Sequence, residues 1–243
     1  MTKDTKSISA IILASGDSRR MKLECENSKI FMSISGKPCL SYSLNTFREC
    51  SFIKEFIVVC KDKDKQKVKS LIEDDKSNCY KIITGGKTRQ ESVFNGFINS
   101  SKYTDYLLIH DAARCLITKE LINKVTLSAI KSRSCAILGV PVKDTIKVVE
   151  TIENENIVKE TKNRDSLWQI QTPQVIRKDL YRFCIKKAIK ENKIFTDDSQ
   201  LIENYTDAKV CVVLGEYDNL QLTTREDICI IESLLKKRNH KKI

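Results

Sequence analysis

Short apolar runs rich in β-branched residues alternate with stretches of helical periodicity along this chain, and that alternation limits the fold more than any other feature. Residues 9–14, 56–60, 81–84, 106–110 and 136–140 are short runs rich in apolar and β-branched residues and too short for helices, so they read as strands buried on both faces. Between them Leu40, Leu44 and Phe47, then Val68, Leu71 and Ile72, then Val93 and Phe97, then Leu121 and Val125 recur at helical spacing. Strands and helices in turn predict an α/β sandwich of three layers around a mainly parallel central sheet. A late strand at 210–214 and a final helix from about Arg225 to Lys237 complete the pattern.

One segment breaks the alternation. Residues 145–149 and 157–161 are β-prone runs separated by Glu153-Asn154-Glu155-Asn156, a hairpin signal. Both runs carry charges, and two strands alone are marginal in water. This protruding β-hairpin arm, at about 143–163, must therefore lean on something, and a second subunit is the natural candidate. No repeat, low-complexity tract or linker divides the chain. Residues 1–243 read as one domain with an arm and a basic tail at about 236–243, expected to be frayed and solvated.

Composition narrows the function. Hydrophobic residues make up 41% and charged residues 31%, as a packed core with a solvated surface requires. No apolar run approaches the roughly 18 residues that span a bilayer, and no secretory pattern opens the chain, so a cytoplasmic protein with no membrane partner is expected. The ten cysteines include no Cys-x-x-Cys and no pair closer than ten residues, so they read as reduced, mostly buried thiols. A net charge of +11 suits an anionic substrate or RNA. Aromatic residues, at 7%, do not cluster with the arginines, which argues against a base-stacking surface and hence against nucleic acid.

The first strand runs into Ala14-Ser15-Gly16-Asp17-Ser18-Arg19-Arg20-Met21. Small residues followed by basic ones expose backbone N–H groups in a turn that can hold an anion. The spacing fits neither the dinucleotide fingerprint nor the P-loop, and an ordinary strand-to-helix turn is the alternative. Lys29 follows nine residues after Arg20. Two cations beside such a turn suit phosphoryl or nucleotidyl transfer, where charge builds on non-bridging oxygens. His110-Asp111-Ala112-Ala113-Arg114 follows the central strand, and ligands of open α/β sheets bind just beyond strand carboxyl ends. Asp111 could hold Mg²⁺ on a triphosphate and Arg114 a second anion; the alternative is a surface salt bridge between the two. His110 reads as structural. Gly85-Gly86-Lys87-Thr88-Arg89-Gln90-Glu91-Ser92 also joins a strand to a helix, and Ser92 could bond a nucleobase unless this is merely a flexible turn.

These segments, with 141–147, the Arg164 to Gln174 stretch ending in Gln171-Thr172-Pro173-Gln174, and Thr223 to Asp227, occur in the order of a known family. Together they closely resemble the 2-C-methyl-D-erythritol 4-phosphate cytidylyltransferases of the non-mevalonate isoprenoid pathway, from about Ser9 to Leu235. The resemblance implies a Rossmann-like fold and a CTP-dependent transfer of CMP to a phosphorylated polyol, with Mg²⁺ accompanying CTP. It implies nucleotide recognition by Ala14, Ser15, Gly16, Gly86, Ser92 and Ala112, and transition-state stabilisation by Arg20 and Lys29, with Arg164 and the position of Gln221 also in the catalytic set. Asp111, Arg114, Thr145, Arg164 and Thr196 match substrate contacts. Thr145 and Arg164 match residues that reach a partner subunit, which implies a homodimer joined through the arm.

The chain departs from the family at Gln221, where lysine is usual, at Cys115 and Ser28, where proline is usual, and at Ser18, where a second glycine is usual. A glutamine carries no charge to phosphate, so Gln221 keeps open a ribitol 5-phosphate or other polyol phosphate acceptor, or a catalytically weakened homologue.

Overall fold

The computed structural model describes residues 6–16, 28–73 and 80–240, with the side chains of 239 and 240 excepted. Seven strands form the central sheet: β1 (Ile8–Ala14), β4 (Ile53–Cys60), β5 (Tyr80–Thr84), β6 (Tyr106–Asp111), β7 (Cys135–Pro141), β10 (Trp168–Arg177) and β11 (Val210–Leu214), in the order β11-β7-β10-β6-β1-β4-β5. Every pairing is parallel except those of β10, which runs antiparallel to both β6 and β7.

Alternation along β1 shows how the layers form, since successive side chains of a strand point to opposite faces. Ile8, Ala10 and Ile12 pack with α1 (Cys39–Arg48), α2 (Lys65–Ile72) and α4 (Lys119–Ser132), through Leu44, Phe47, Val68 and Val125. Ile11 and Leu13 face α3 (Arg89–Asn99), α5 (Lys178–Lys190) and α6 (Asp198–Tyr205), through Val93, Phe97, Tyr181 and Leu201. Two apolar layers thus sandwich the inner strands on both faces, and each buried aliphatic side chain contributes about 1.5–3 kcal/mol. The edge strands β5 and β11 are only partly covered, so residues 81–84 are not buried on both faces as their run predicts. Helix α3 lies close on the sheet because Gly96 has no side chain: a Cβ there would stand 2.6 Å from Ile11 Cγ2. A third, smaller core joins Ile34 and Cys39 to Ala113, Leu116, Leu222 and Ile231. It roofs the short hairpin of β2 (Ser33–Ile34) and β3 (Lys37–Pro38) with α7 (Glu226–His240).

The predicted strands and helices form, with three corrections. The arm is β8 (Lys147–Ile152) paired with β9 (Glu155–Thr161), a sheet separate from the central one. Its turn is two residues, Glu153 and Asn154, not four; both have positive φ, at 50° and 68°, which matches the right-handed twist of the flanking strands. β10 is a long strand that the alternation does not predict, because its middle is the polar Gln171-Thr172-Pro173-Gln174. Its pairing with β7 shifts register between Gln171 and Gln174, where proline has no N–H to give. The basic tail is helical as far as His240, and Arg238 docks on the Leu116 carbonyl at 2.6 Å rather than fraying. Six of the eight described cysteines are buried, and burial pushes the Cys50, Cys60 and Cys184 thiols up to about 11. No described helix is long and apolar enough to cross a membrane.

Candidate active site

The carboxyl ends of β1, β4, β5 and β6 open on a pocket of about 620 Å³. Ser15 and Gly16 line it after β1, Lys61 and Asp62 after β4, Gly85 and Gly86 after β5, and Asp111 at the end of β6. Arg89 and Ser92 enter from α3, Lys29 from a short 3₁₀ turn and Gln221 from the segment before α7. Of the residues proposed from sequence, Ser15, Gly16, Lys29, Gly86, Ser92, Asp111 and Gln221 are therefore brought together.

The glycine turn is closed from within. Ser92 Oγ donates to the Thr88 carbonyl at 3.0 Å and accepts from the Gly86 N–H at 3.1 Å, so the Ser15 hydroxyl, 3.1 Å away, donates to it. A Cβ at Gly85 would lie 2.5 Å from Ser15 Cβ, so only glycine lets these two turns meet. Thr88 caps α3 by accepting from Glu91 N–H at 3.0 Å, while the Glu91 carboxylate accepts from Lys87 N–H at 2.7 Å. The first bond serves an N–H that a helix start leaves without a partner, and the second ties the residue before the cap to the first turn.

Asp111 holds the centre of the floor. Its Oδ1 accepts from Arg89 Nε at 3.3 Å and its Oδ2 from Gln221 Nε2 at 3.3 Å. Burial alone would raise its pKa; the Arg89 and Arg114 charges outweigh burial and leave the carboxyl below its ordinary range. Arg89 bridges onward to Asp198, Nη1 to Oδ2 at 2.6 Å. The alternative reading, an Asp111–Arg114 salt bridge, is not what forms: Arg114 donates to the carbonyls of Asn219 at 2.9 Å and Ile170 at 3.4 Å, and Arg89 takes the ion pair. Lys29 Nζ donates to the Leu222 carbonyl at 2.9 Å, which ties the ammonium to the pocket wall beside Gln221.

The polar interruption of β10 is a strut beneath this site. Thr172 Oγ1 accepts from Asp111 N–H at 3.0 Å and lies 3.0 Å from His110 Nδ1. Gln171 accepts from Asn219 Nδ2 at 3.1 Å and donates to the Glu216 carbonyl at 2.9 Å, fixing the segment that presents Gln221. Gln174 donates to Asp197 at 2.6 Å and accepts from Ser199 N–H at 3.2 Å, fixing the start of α6.

His110 is fully buried and packs 5.0 Å from the Phe47 ring, a structural histidine as its setting in a strand predicts. Burial pushes its pKa down to about 3. An unfolded histidine titrates near 6.5, so below that pH the unfolded chain binds a proton that the folded chain refuses. Stability is thus full above about pH 6.5 and is lost as pH falls towards the folded value, by about 2 kcal/mol at pH 5. The urea midpoint of wild type is expected to fall more steeply from pH 7.5 to pH 5 than that of His110→Gln; parallel curves would assign the loss to other groups.

The remaining residues lie elsewhere. Ala14 is buried in β1, and both main-chain groups of Ala112 are engaged inside the protein, its N–H with Leu13 O at 3.0 Å and its carbonyl with Ser43 Oγ at 3.2 Å. Arg114 sits behind the pocket. Thr145, Arg164 and Thr196 are exposed outside it, with Arg164 Nη1 on the Lys143 carbonyl at 2.9 Å at the base of the arm. Arg20 lies outside the described residues. Sequence reasoning gave no role to Arg89, Lys61, Asp62 or Asn219; the one signal for Arg89 was its place in the turn that follows β5.

A glycine-bearing turn, tethered cations and a carboxylate at the carboxyl ends of a parallel sheet define an α/β protein built to hold a phosphorylated ligand. The model of the family described as 2-C-methyl-D-erythritol 4-phosphate cytidylyltransferase matches residues 8–237. A curated relative of that name from Caldanaerobacter subterraneus subsp. tengcongensis is 40% identical over 95% of this chain and 99% of its own. Another, from Clostridioides difficile, is 36% identical over 93% of each. The solved 4-diphosphocytidyl-2C-methyl-D-erythritol synthase of Anaerococcus prevotii superposes with a TM-score of 0.84 at 32% identity, over 96% of this chain and all of that one. The chain belongs to the 2-C-methyl-D-erythritol 4-phosphate cytidylyltransferase family, CTP-dependent nucleotidyltransferases of isoprenoid precursor biosynthesis.

Proposed function

We propose that this pocket seats CTP, with Ser15, Gly16, Gly86 and Ser92 around the nucleotide and Arg20 and Lys29 at the α-phosphorus. A phosphate oxygen of 2-C-methyl-D-erythritol 4-phosphate attacks that phosphorus in line, the bond to the β-phosphate breaks, and pyrophosphate leaves. The product is 4-diphosphocytidyl-2-C-methyl-D-erythritol. No protein nucleophile is needed; positioning and charge neutralisation carry the reaction. The observation that carries this reading is the meeting of Lys29, Asp111 and both glycine turns around one pocket.

The donor set fits a divalent ion held mainly by phosphate oxygens: Asp111 supplies one carboxylate, and the described residues form no cage of three or more metal-ligating side chains. Mg²⁺ bound to CTP and Asp111 would offset triphosphate charge. The exposed Val149, Ile152, Ile157 and Val158 of the arm support a homodimer that covers them and brings Thr145 and Arg164 to the partner's acceptor. A sedimentation mass of two chains is expected, and a mass of one would remove this arrangement. The enzyme works in the cytoplasm.

Pyrophosphate release from CTP, measured with the erythritol phosphate, with ribitol 5-phosphate and with no acceptor, tests the assignment. Turnover with ribitol phosphate alone would overturn it. Gln221→Lys is expected to raise kcat/KM with the erythritol phosphate severalfold, since charge-assisted bonds to phosphate are about twice as strong as neutral ones. A fall in that rate would show a site tuned to the amide.

A further inference from the structure

The first turn of α3 reaches away from the glycine turn as well as into it. Gln90 Nε2 donates to the Lys193 carbonyl at 3.1 Å, and its Oε1 accepts from Phe195 N–H at 2.9 Å. Arg89 spans from Asp111 to Asp198, whose side chain is 2% exposed. Adjacent residues thus grip both ends of the 193–198 segment, which joins α5 to α6 and carries the exposed Thr196. The Arg89–Asp198 pair is not a screened surface bridge, and breaking a buried pair costs far more than breaking an exposed one. The grip begins where Thr88 caps the helix and Ser92 closes the Gly86 turn, so a ligand that orders this turn also orders the grip.

We propose that Arg89 and Gln90 are positioning residues that clamp the 193–198 segment to the nucleotide pocket, so that CTP binding prepares the surface on which the phosphorylated acceptor lands. This rests on the reading above that the acceptor contacts the Thr196 side of the site. Coupling of this kind is reciprocal: acceptor binding strengthens the hold on CTP by the same factor.

Two readouts test it. Amide exchange of the 193–198 segment is expected to slow when CTP with Mg²⁺ is added to wild type, and this slowing is expected to vanish in Gln90→Ala, whose side chain does not line the pocket. In steady-state kinetics, Gln90→Ala and Asp198→Asn are expected to raise the acceptor KM about tenfold while the CTP dissociation constant stays within about twofold, as loss of one or two such bonds implies. A merely structural role would lower the melting temperature and leave that split absent. Exchange that ignores CTP in wild type, or an acceptor KM unmoved in Gln90→Ala, would overturn the clamp. Failure of wild type to turn over the erythritol phosphate would instead strike the acceptor assignment, and the exchange experiment would still read the clamp.

Discussion

Lys29→Met is expected to lower kcat by roughly a thousandfold while leaving the KM for CTP within a few fold, the pattern of a group that acts mainly on the transition state. The ammonium is held in advance: its bond to the Leu222 carbonyl fixes it at the pocket wall before substrate arrives. A fixed charge needs no reorganisation as charge builds on the α-phosphate oxygens. Methionine matches the stem of lysine but supplies no charge and no donor. Stopped assays of pyrophosphate release at saturating acceptor measure the effect. A variant that keeps kcat and loses only CTP affinity would place Lys29 in ground-state binding. The Leu222 carbonyl also loses a partner, so the melting temperature must be compared with wild type. Lys29→Arg is not a safe control, because a planar fork cannot occupy the place of a compact ammonium.

What the sequence reveals here follows from how local each cause is. β1 and β6 are apolar on consecutive residues because both faces are covered, and that pattern is visible without any partner. β10 is invisible to the same reasoning because Thr172 and its flanking glutamines serve the site rather than the core. The hairpin turn shows the limit of composition: Glu153-Asn154-Glu155-Asn156 is polar throughout, and only backbone geometry places the bend at its first two residues. Lys29 and Asp111 are legible because each adjoins a motif. Arg89 is not, since an arginine in a first helical turn resembles any surface residue and its partner Asp198 lies 109 positions on. Asp111 with Arg114 was the natural pairing by proximity. Space decides otherwise, because Arg114 points back to the carbonyls of Asn219 and Ile170.

Asp111→Asn is expected to lower kcat/KM about a hundredfold, near 3 kcal/mol of transition-state stabilisation. The substitution isolates charge. Gln221 now donates to Oδ2 at 3.3 Å, and by turning its amide it can accept from the asparagine instead, so the hydrogen bonding survives. Arg89 keeps an acceptor too, but a neutral one, and charge-assisted bonds are about twice as strong. Its ion pair with Asp198 then stands alone, and the pocket floor loses the negative charge that would help to hold Mg²⁺ beside the triphosphate. The dependence of rate on Mg²⁺ concentration is therefore expected to shift upward in Asp111→Asn and to stay unchanged in Asp62→Asn, whose exposed carboxylate is paired with Lys65 at the rim. If Asp111→Asn keeps both its rate and its Mg²⁺ dependence, neither the ion nor the arginine relies on that charge, and the floor of the site acts through shape alone.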